Sequence, residues 1–271
     1  MTYLDTVDPA VVLPAMDANM ATFWSEYGRS QGCVLERAGD AVWFHSGIPH
    51  PFFNGVPRAT FSSNEAVEQV VNGLAARIAA TGAPAFWWVG PFSSPDGIGA
   101  RLEASGIRRV GSVPAMAIDL TRLGAAEPLP AGLSIERVES AAQQSVWGRT
   151  AATGSDFTPS SVEALAALEG RLGGPDYRAQ YRYIGFLDGR SVASSAMVLD
   201  AGVAGIYAVA TLPDVRQRGI GMAMSLRPLY DARDAGYRVA VLQASPAGFP
   251  IYRKIGFMEV AMYGLHLQAV T

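Results

Sequence analysis

The sequence predicts an α/β (α+β) chain of two domains, each a mixed, mostly antiparallel sheet flanked by helices. Apolar runs of strand length alternate with stretches of helical period along the 271 residues. A segment rich in Ala, Pro and Gly at 121–132 interrupts the alternation and divides the chain into 1–124 and 125–271. The order of elements before that boundary is a weak repeat of the order after it.

In 13–30, Met16, Met20, Phe23, Trp24 and Tyr27 recur at helical spacing, and Gly32 ends the helix. Strand-like runs at 33–37 and 41–45 flank the turn Ala38-Gly39-Asp40, which predicts a hairpin. A loop at 47–57 holds His50, Phe52, Phe53 and Asn54 and leads into a strand at 58–61. Ser62, Ser63, Asn64 and Glu65 read as a cap for a helix whose face is Val67, Val70, Val71, Leu74 and Ile78. The apolar run 85–89 is a buried strand, followed by a short helix ending at Gly106 and a strand at 110–120.

Beyond the boundary a strand at 133–138 precedes helices at 139–153 and from Thr158-Pro159. Strands at 181–187, 191–199 and 203–211, separated by Asp188-Gly189 and Ala201-Gly202, form an antiparallel meander. A helix from Gly219 to Gly236, a strand at 238–244, a short helix at 248–255 and a strand at 258–267 complete the chain.

The hydrophobic share of 49% supports a sizeable core, and the net charge of −3 argues against nucleic acid or an anionic membrane as partner. No apolar run reaches membrane-spanning length, and the start of the chain is acidic where a signal peptide is basic. The expectation is a soluble, cytoplasmic protein, a monomer or homodimer. The single cysteine, Cys33, excludes an intramolecular disulfide and reads as a small hydrophobe. The three histidines form no metal signature.

The chemistry concentrates at Arg216-x-x-Gly219-x-Gly221, between a strand ending near Thr211 and an apolar helix. Glycines at that spacing let successive backbone N–H groups converge at a helix N-terminus, a natural seat for phosphate or pyrophosphate. Arg216 and Arg218 can add charge-assisted contacts. A dinucleotide site is rejected, since the third glycine is missing and an antiparallel meander precedes the turn.

Downstream stands Tyr252-x-x-x-Gly256-Phe257. The two segments together resemble the GCN5-related N-acetyltransferase (GNAT) family, with its R/Q-x-x-G-x-G/A motif followed by Tyr-x-x-x-Gly-Phe. The resemblance covers about 133–267 and implies a mixed sheet that splays where the strands around the glycine turn part. It implies acetyl transfer from acetyl-CoA to a primary amine of a small molecule, without a metal. Arg216, Gln217, Arg218, Gly219, Ile220, Gly221 and Met222 would cradle the pyrophosphate. Val209, Ala210 and Thr211 would pair with the pantetheine arm and thioester, and Ser245 partly replaces an asparagine usual in the family.

Tyr252, protonated at neutral pH with an unperturbed pKa of about 10, fits a general acid for the leaving thiolate. The family's usual glutamate is missing from 205–209. Asp156 is a candidate base or ammonium anchor, Tyr207 a candidate for a water relay, and His45 and His50 have suitable pKa values. Phe157, Trp147, Tyr207 and Asn54 are expected at the acceptor pocket. In the first half Asn54-Gly-Val-Pro-Arg58 stands where the glycine motif belongs, and Leu102 where the tyrosine does. That half reads as a degenerate GNAT-like domain without a coenzyme site. The competing reading is a non-catalytic acyl-CoA-binding regulatory module.

Overall fold

A computed structural model describes residues 3–38, 41–61, 67–172 and 180–270. The expected turn at Gly39-Asp40 and the cap at 62–65 lie outside the described residues. The chain forms two compact units, each discontinuous in sequence: a larger one of Met1–Asn19 with Met116–Glu259, and a smaller one of Met20–Ala115 with Val260–Thr271. This differs from a linear division at 124/125, because the head of the first helix belongs with the second half and the last strand with the first.

The helices are α1 (Pro9–Ser25), α2 (Val67–Ala79), α3 (Ile98–Ala104), α4 (Ala141–Gly154), α5 (Pro159–Leu172), α6 (Ile220–Asp234) and α7 (Phe249–Ile255). The strands are β1 (Val34–Ala38), β2 (Ala41–His45), β3 (Asn54–Arg58), β4 (Ala85–Val89), β5 (Arg108–Asp119), β6 (Leu133–Arg137), β7 (Gln180–Leu187), β8 (Arg190–Asp200), β9 (Val203–Thr211), β10 (Val239–Gln243) and β11 (Met258–Gln268).

In the larger unit the strand order is β5-β10-β9-β8-β7-β6. β6 to β9 are antiparallel, while β10 runs parallel to β9. Successive residues of a strand face opposite sides. Arg182 on β7 lies over Trp147 of α4, and its neighbour Tyr183 donates to Asp231 of α6. So α4 and α5 cover one face and α6 the other. The α6 face is apolar, with Ile220, Met224 and Leu229 packed on Ala193, Met197, Ile206 and Leu242.

In the smaller unit the order is β1-β2-β3-β4-β11-β5. Its core joins Val71, Leu74 and Ile78 of α2 to Val56 and Trp87 of the sheet. The strand expected at 58–61 begins earlier, at Asn54, and reaches only Arg58. Asn54 starts it by binding the preceding loop: its amide nitrogen donates to the Ile48, His50 and Pro84 carbonyls, and its oxygen accepts from the Ser46 N–H. Gly55 follows at φ 126, where a Cβ would lie 2.0 Å from the Phe86 carbonyl oxygen, so only glycine fits.

Candidate active site

β9 ends at Thr211, and a single 3-10 turn, Pro213–Val215, leads to the glycine segment. Gln217 (φ 63) and Gly219 (φ 78) are both left-handed, and Gly219 is the N-cap of α6. Left-handed residues this close together turn backbone N–H groups toward one side, the geometry of an anion nest at a helix N-terminus. Arg216, Gln217, Arg218 and Gly219 are exposed, Gly221 and Met222 half-buried, and Ile220 is anchored in the core. Gly221 is the meeting point: a Cβ on it would lie 3.5 Å from Ile251 Cδ1 of α7 and 3.8 Å from Thr211 Oγ1 of β9. The two sequence segments and the strand end are thereby adjacent in space.

β10 pairs with β9 only at Ala240↔Ala204 and Val241↔Gly205. The ladder stops at these pairs while β9 runs on to Thr211, and the sheet opens there. On its other side β9 carries a bulge: its register with β8 shifts between Ser194 and Ala196, and Ala208 is left-handed at φ 49. Ser194 Oγ holds the bulge by donating to the Ala208 carbonyl at 2.9 Å. Val209 and Thr211 are half-buried along this opening, and Ala210 is buried.

Tyr252 of α7 is 8% exposed, its ring edge-on to Phe257 at 5.7 Å. Gly248 makes room for it, since a Cβ there would lie 2.7 Å from Tyr252 Cε2. Burial pushes the phenol up to about 12, and the nearby Ser225 hydroxyl of α6 opposes that rise. The group is a phenol at any physiological pH.

Residues 176–260 match the family model described as an acetyltransferase (GNAT) domain. Nearly the whole chain also follows solved GNAT structures. A GCN5-related N-acetyltransferase from Kribbella flavida is 20% identical with a TM-score of 0.66, over 93% of this chain and 95% of that one. A tandem GNAT protein from the clavulanic acid biosynthesis pathway is 12% identical with a TM-score of 0.63, over 98% and 97%. A GCN5-related N-acetyltransferase from Sphaerobacter thermophilus is 17% identical with a TM-score of 0.57, over 96% and 91%. At such identities the likeness is one of fold. No curated protein sequence matches the chain.

Within the larger unit several predicted residues have other roles or partners. Arg216 is turned away from the nest: its guanidinium donates to the carbonyls of Thr211 (3.0 Å) and Gly154 (2.9 Å) and to Asp156 Oδ2 (2.9 Å). Asp156 is accordingly an ion-pair partner, itself left-handed at φ 58. Arg218 is exposed and enters no ion pair among the described residues. Ser245 Oγ accepts from the Gly248 N–H and caps the approach to α7. Phe157 is half-buried after α4.

Two further expectations give way to packing. Trp147 is fully buried, its indole N–H donating to the Ser195 carbonyl at 2.9 Å, so it is a core residue and not a pocket wall. Tyr207 is buried and donates to Asn19 Oδ1 at 2.8 Å; burial raises its phenol well above the usual value, and the bond to Asn19 removes it as a water relay. In the smaller unit, Asn54 is 2% exposed and has both ends of its amide engaged by backbone groups. Burial lowers His45 and takes His50 down to about 4, so both rings are neutral at pH 7. Cys33 is half-buried, its thiol donating to the Ser46 carbonyl.

Sequence reasoning missed Asn19. The Asn19 amide nitrogen lies 3.0–3.2 Å from the carbonyl oxygens of Val198, Asp200 and Val203, which ties the head of α1 to the β8–β9 hairpin. An asparagine inside a helical run was the available signal, since polar residues on an apolar face are rarely buried without partners. A cavity of about 270 Å³, lined by Arg137, Tyr181, Met197 and Asp234 among others, lies at the far end of α6 from Gly219. Among the described residues no helix is long and apolar enough to cross a membrane, and no three His, Cys, Asp or Glu are grouped to hold a metal.

Proposed function

We propose that the chain moves an acetyl group from acetyl-CoA to a primary amine of a small molecule, by direct transfer through a tetrahedral intermediate with Tyr252 as general acid. The observation that carries this is the convergence at Gly221, where the nest, the bulged end of β9 and the tyrosine helix meet beside an opened sheet. The N–H groups of 217–222 and the exposed Arg218 fit a pyrophosphate. The side of Val209, Ala210 and Thr211 that lies beyond the β10 ladder fits the pantetheine arm, and an N–H there can donate to the oxyanion, a contact worth about 3–4 kcal/mol. The neutral amine attacks the carbonyl carbon, the C–S bond breaks, the Tyr252 phenol protonates the departing sulfur, and the proton shed by the acylated nitrogen passes to solvent, from which the phenol is restored. Asp156 Oδ2 is taken by Arg216, which leaves Oδ1 to receive an ammonium group from the acceptor.

The smaller unit is read as holding no coenzyme. There the strands matching β9 and β10 are β3 and β4, and they stay joined past their last ladder pair. Ala59 donates to the Trp88 carbonyl, Ser94 to that of Ala59 and Phe61 to that of Ser94, while Ser94 Oγ donates to the Phe61 carbonyl. A seam so stitched leaves no slot for a pantetheine chain.

The test is thiol release from acetyl-CoA across an amine panel, with Tyr252→Phe as control. A loss of about 10²-fold or more in kcat supports general-acid catalysis, whose usual contribution is of that order. An unaltered rate removes Tyr252 from the mechanism. Binding of acetyl-CoA without turnover on any amine favours the regulatory module, a reading helped by the engagement of Tyr207 with Asn19 and the lack of a carboxylate on β9.

A further inference from the structure

We propose that Ser194 is a positioning residue, which aims the Val209 N–H at the oxyanion formed during acyl transfer. The proposal rests on the reading that the thioester lies along the end of β9. Among the described residues five non-glycine residues take a positive φ. Asp156, Asp188, Ala201 and Gln217 stand in turns, and Ala208 is the one inside a strand. A left-handed alanine is costly and persists only where its neighbours fix it. Ser194 of β8 is such a neighbour: it is fully buried, and its Oγ donates to the Ala208 carbonyl at 2.9 Å. The register of β8 with β9 shifts directly after this serine, so the tie and the bulge coincide.

A trans peptide is planar, and its C=O and the N–H that follows point opposite ways. The bond that draws the Ala208 carbonyl toward Ser194 therefore turns the Val209 N–H away from it. Ser194 pairs with Ala210, and directly opposed residues share a face of the sheet. That face is the one under α4, since a Cβ on Gly154 would lie 3.0 Å from Ala210 Cβ. The Val209 N–H is thus directed off the α4 face, to the side where Thr211 Oγ1 approaches Gly221. When the amine nitrogen bonds to the carbonyl carbon, a C=O electron pair moves onto oxygen. The N–H donates to that oxyanion without giving up its proton. The pair returns as the C–S bond breaks, and sulfur leaves with the bonding electrons and takes the Tyr252 proton. Without the Ser194 tie Ala208 relaxes to an ordinary strand conformation, the peptide plane rolls, and the N–H no longer meets the oxyanion.

A buried serine bonded to a nearby carbonyl is also an ordinary way to satisfy a hydroxyl. Two readouts separate the roles. One is the infrared stretch of the thioester carbonyl in bound, isotope-labelled acetyl-CoA. The other is kcat for thiol release with the fastest amine of the panel, or with water if no amine accelerates it. The proteins are native, Ser194→Ala and Ser194→Thr. In the native protein the band lies below that of free acetyl-CoA, because an aimed N–H polarises the carbonyl. In Ser194→Ala it returns most of the way to the free position. There kcat falls about ten- to a hundred-fold, the scale of a donor misplaced rather than removed, with the acetyl-CoA Kd within about two-fold. Ser194→Thr keeps the hydroxyl and with it most of the shift and the rate. If the alanine protein is poorly folded, Ser194→Cys carries the same test with a weaker donor of similar size. An unshifted band in the active native protein, a band unmoved by Ser194→Ala, or a moved band with native kcat overturns the role of Ser194 alone. Native protein that binds no acetyl-CoA, or binds it without turnover, overturns the acyl-transfer reading and Ser194 with it.

Discussion

Removing the Arg216 guanidinium should loosen the loop after α4 and leave coenzyme binding nearly intact. The side chain bridges the end of β9 to that loop, through Thr211, Gly154 and Asp156. Its ion pair with Asp156 is 43% and 64% exposed, which limits it to about 0–1 kcal/mol. The two carbonyl bonds add about 0.5–1.5 kcal/mol each before discounting for exposure. The total is about 1–2 kcal/mol, a factor of about 5–30 in the local opening equilibrium. The amides of Ser155, Asp156 and Phe157 report on it, since they are bonded to the carbonyls of Ala151, Thr153 and Ala152. Hydrogen exchange at these three amides should therefore accelerate about 5–30-fold in Arg216→Ala, while titration calorimetry finds the acetyl-CoA Kd within about two-fold. Arg216→Lys should behave like alanine, because one ammonium cannot span three divergent acceptors. Unchanged exchange together with a ten-fold weaker Kd would refute the bridge and return Arg216 to the phosphate.

Other outcomes follow from the same structure. Glu169 is fully buried against Arg182 and Gln144, so Glu169→Ala should cost about 3–5 kcal/mol in urea unfolding. The apolar pair Glu169→Leu with Arg182→Met should recover most of that. Gly248→Ala keeps an ordinary backbone (φ −81, ψ −30) and drives its Cβ against Tyr252, so kcat should fall more than ten-fold with only a small change in Tm. The buried phenols of Tyr183, Tyr207 and Tyr252 hold their protons above the unfolded value. Their contribution to stability is therefore complete below about pH 10 and is lost as the pH climbs past it. His45, His50 and His266 are lowered, so their contribution is present above pH 6.5 and is lost as the pH falls, for His50 toward about 4. A urea midpoint that declines on both sides of this window is the expected profile.

The elements of the second half were legible because each carries its own punctuation. Thr158-Pro159 starts α5, Asp188-Gly189 and Ala201-Gly202 turn the meander, and Gly219 begins α6. The glycine and tyrosine segments were legible as a pair for a physical reason now visible: both pack at Gly221. What was not legible is where side chains spend their hydrogen bonds. Nothing near Arg216 in sequence says that it reaches back to Gly154, and nothing near Tyr207 points to Asn19. Trp147 looked like a pocket residue because aromatic character does not reveal burial. The strand at Asn54–Arg58 was hidden by a glycine and a proline that propensity counts against, and its close approach to β4 makes the glycine a requirement.

The last strand has a consequence for dissecting the chain. Gly264–Gln268 of β11 is hydrogen-bonded to Ala85–Val89 of β4, and Asn19 of α1 serves the β8–β9 hairpin. A fragment cut at 124/125 would carry β11 with its β4 edge bare and would lack the asparagine that closes its own hairpin. An exposed ladder edge of that kind recruits whatever strand is nearest, usually another copy of itself. The second half is thus not portable by itself: each half of the sequence carries a piece the other needs to fold, and fusion, truncation or domain exchange must keep both segments of a unit together.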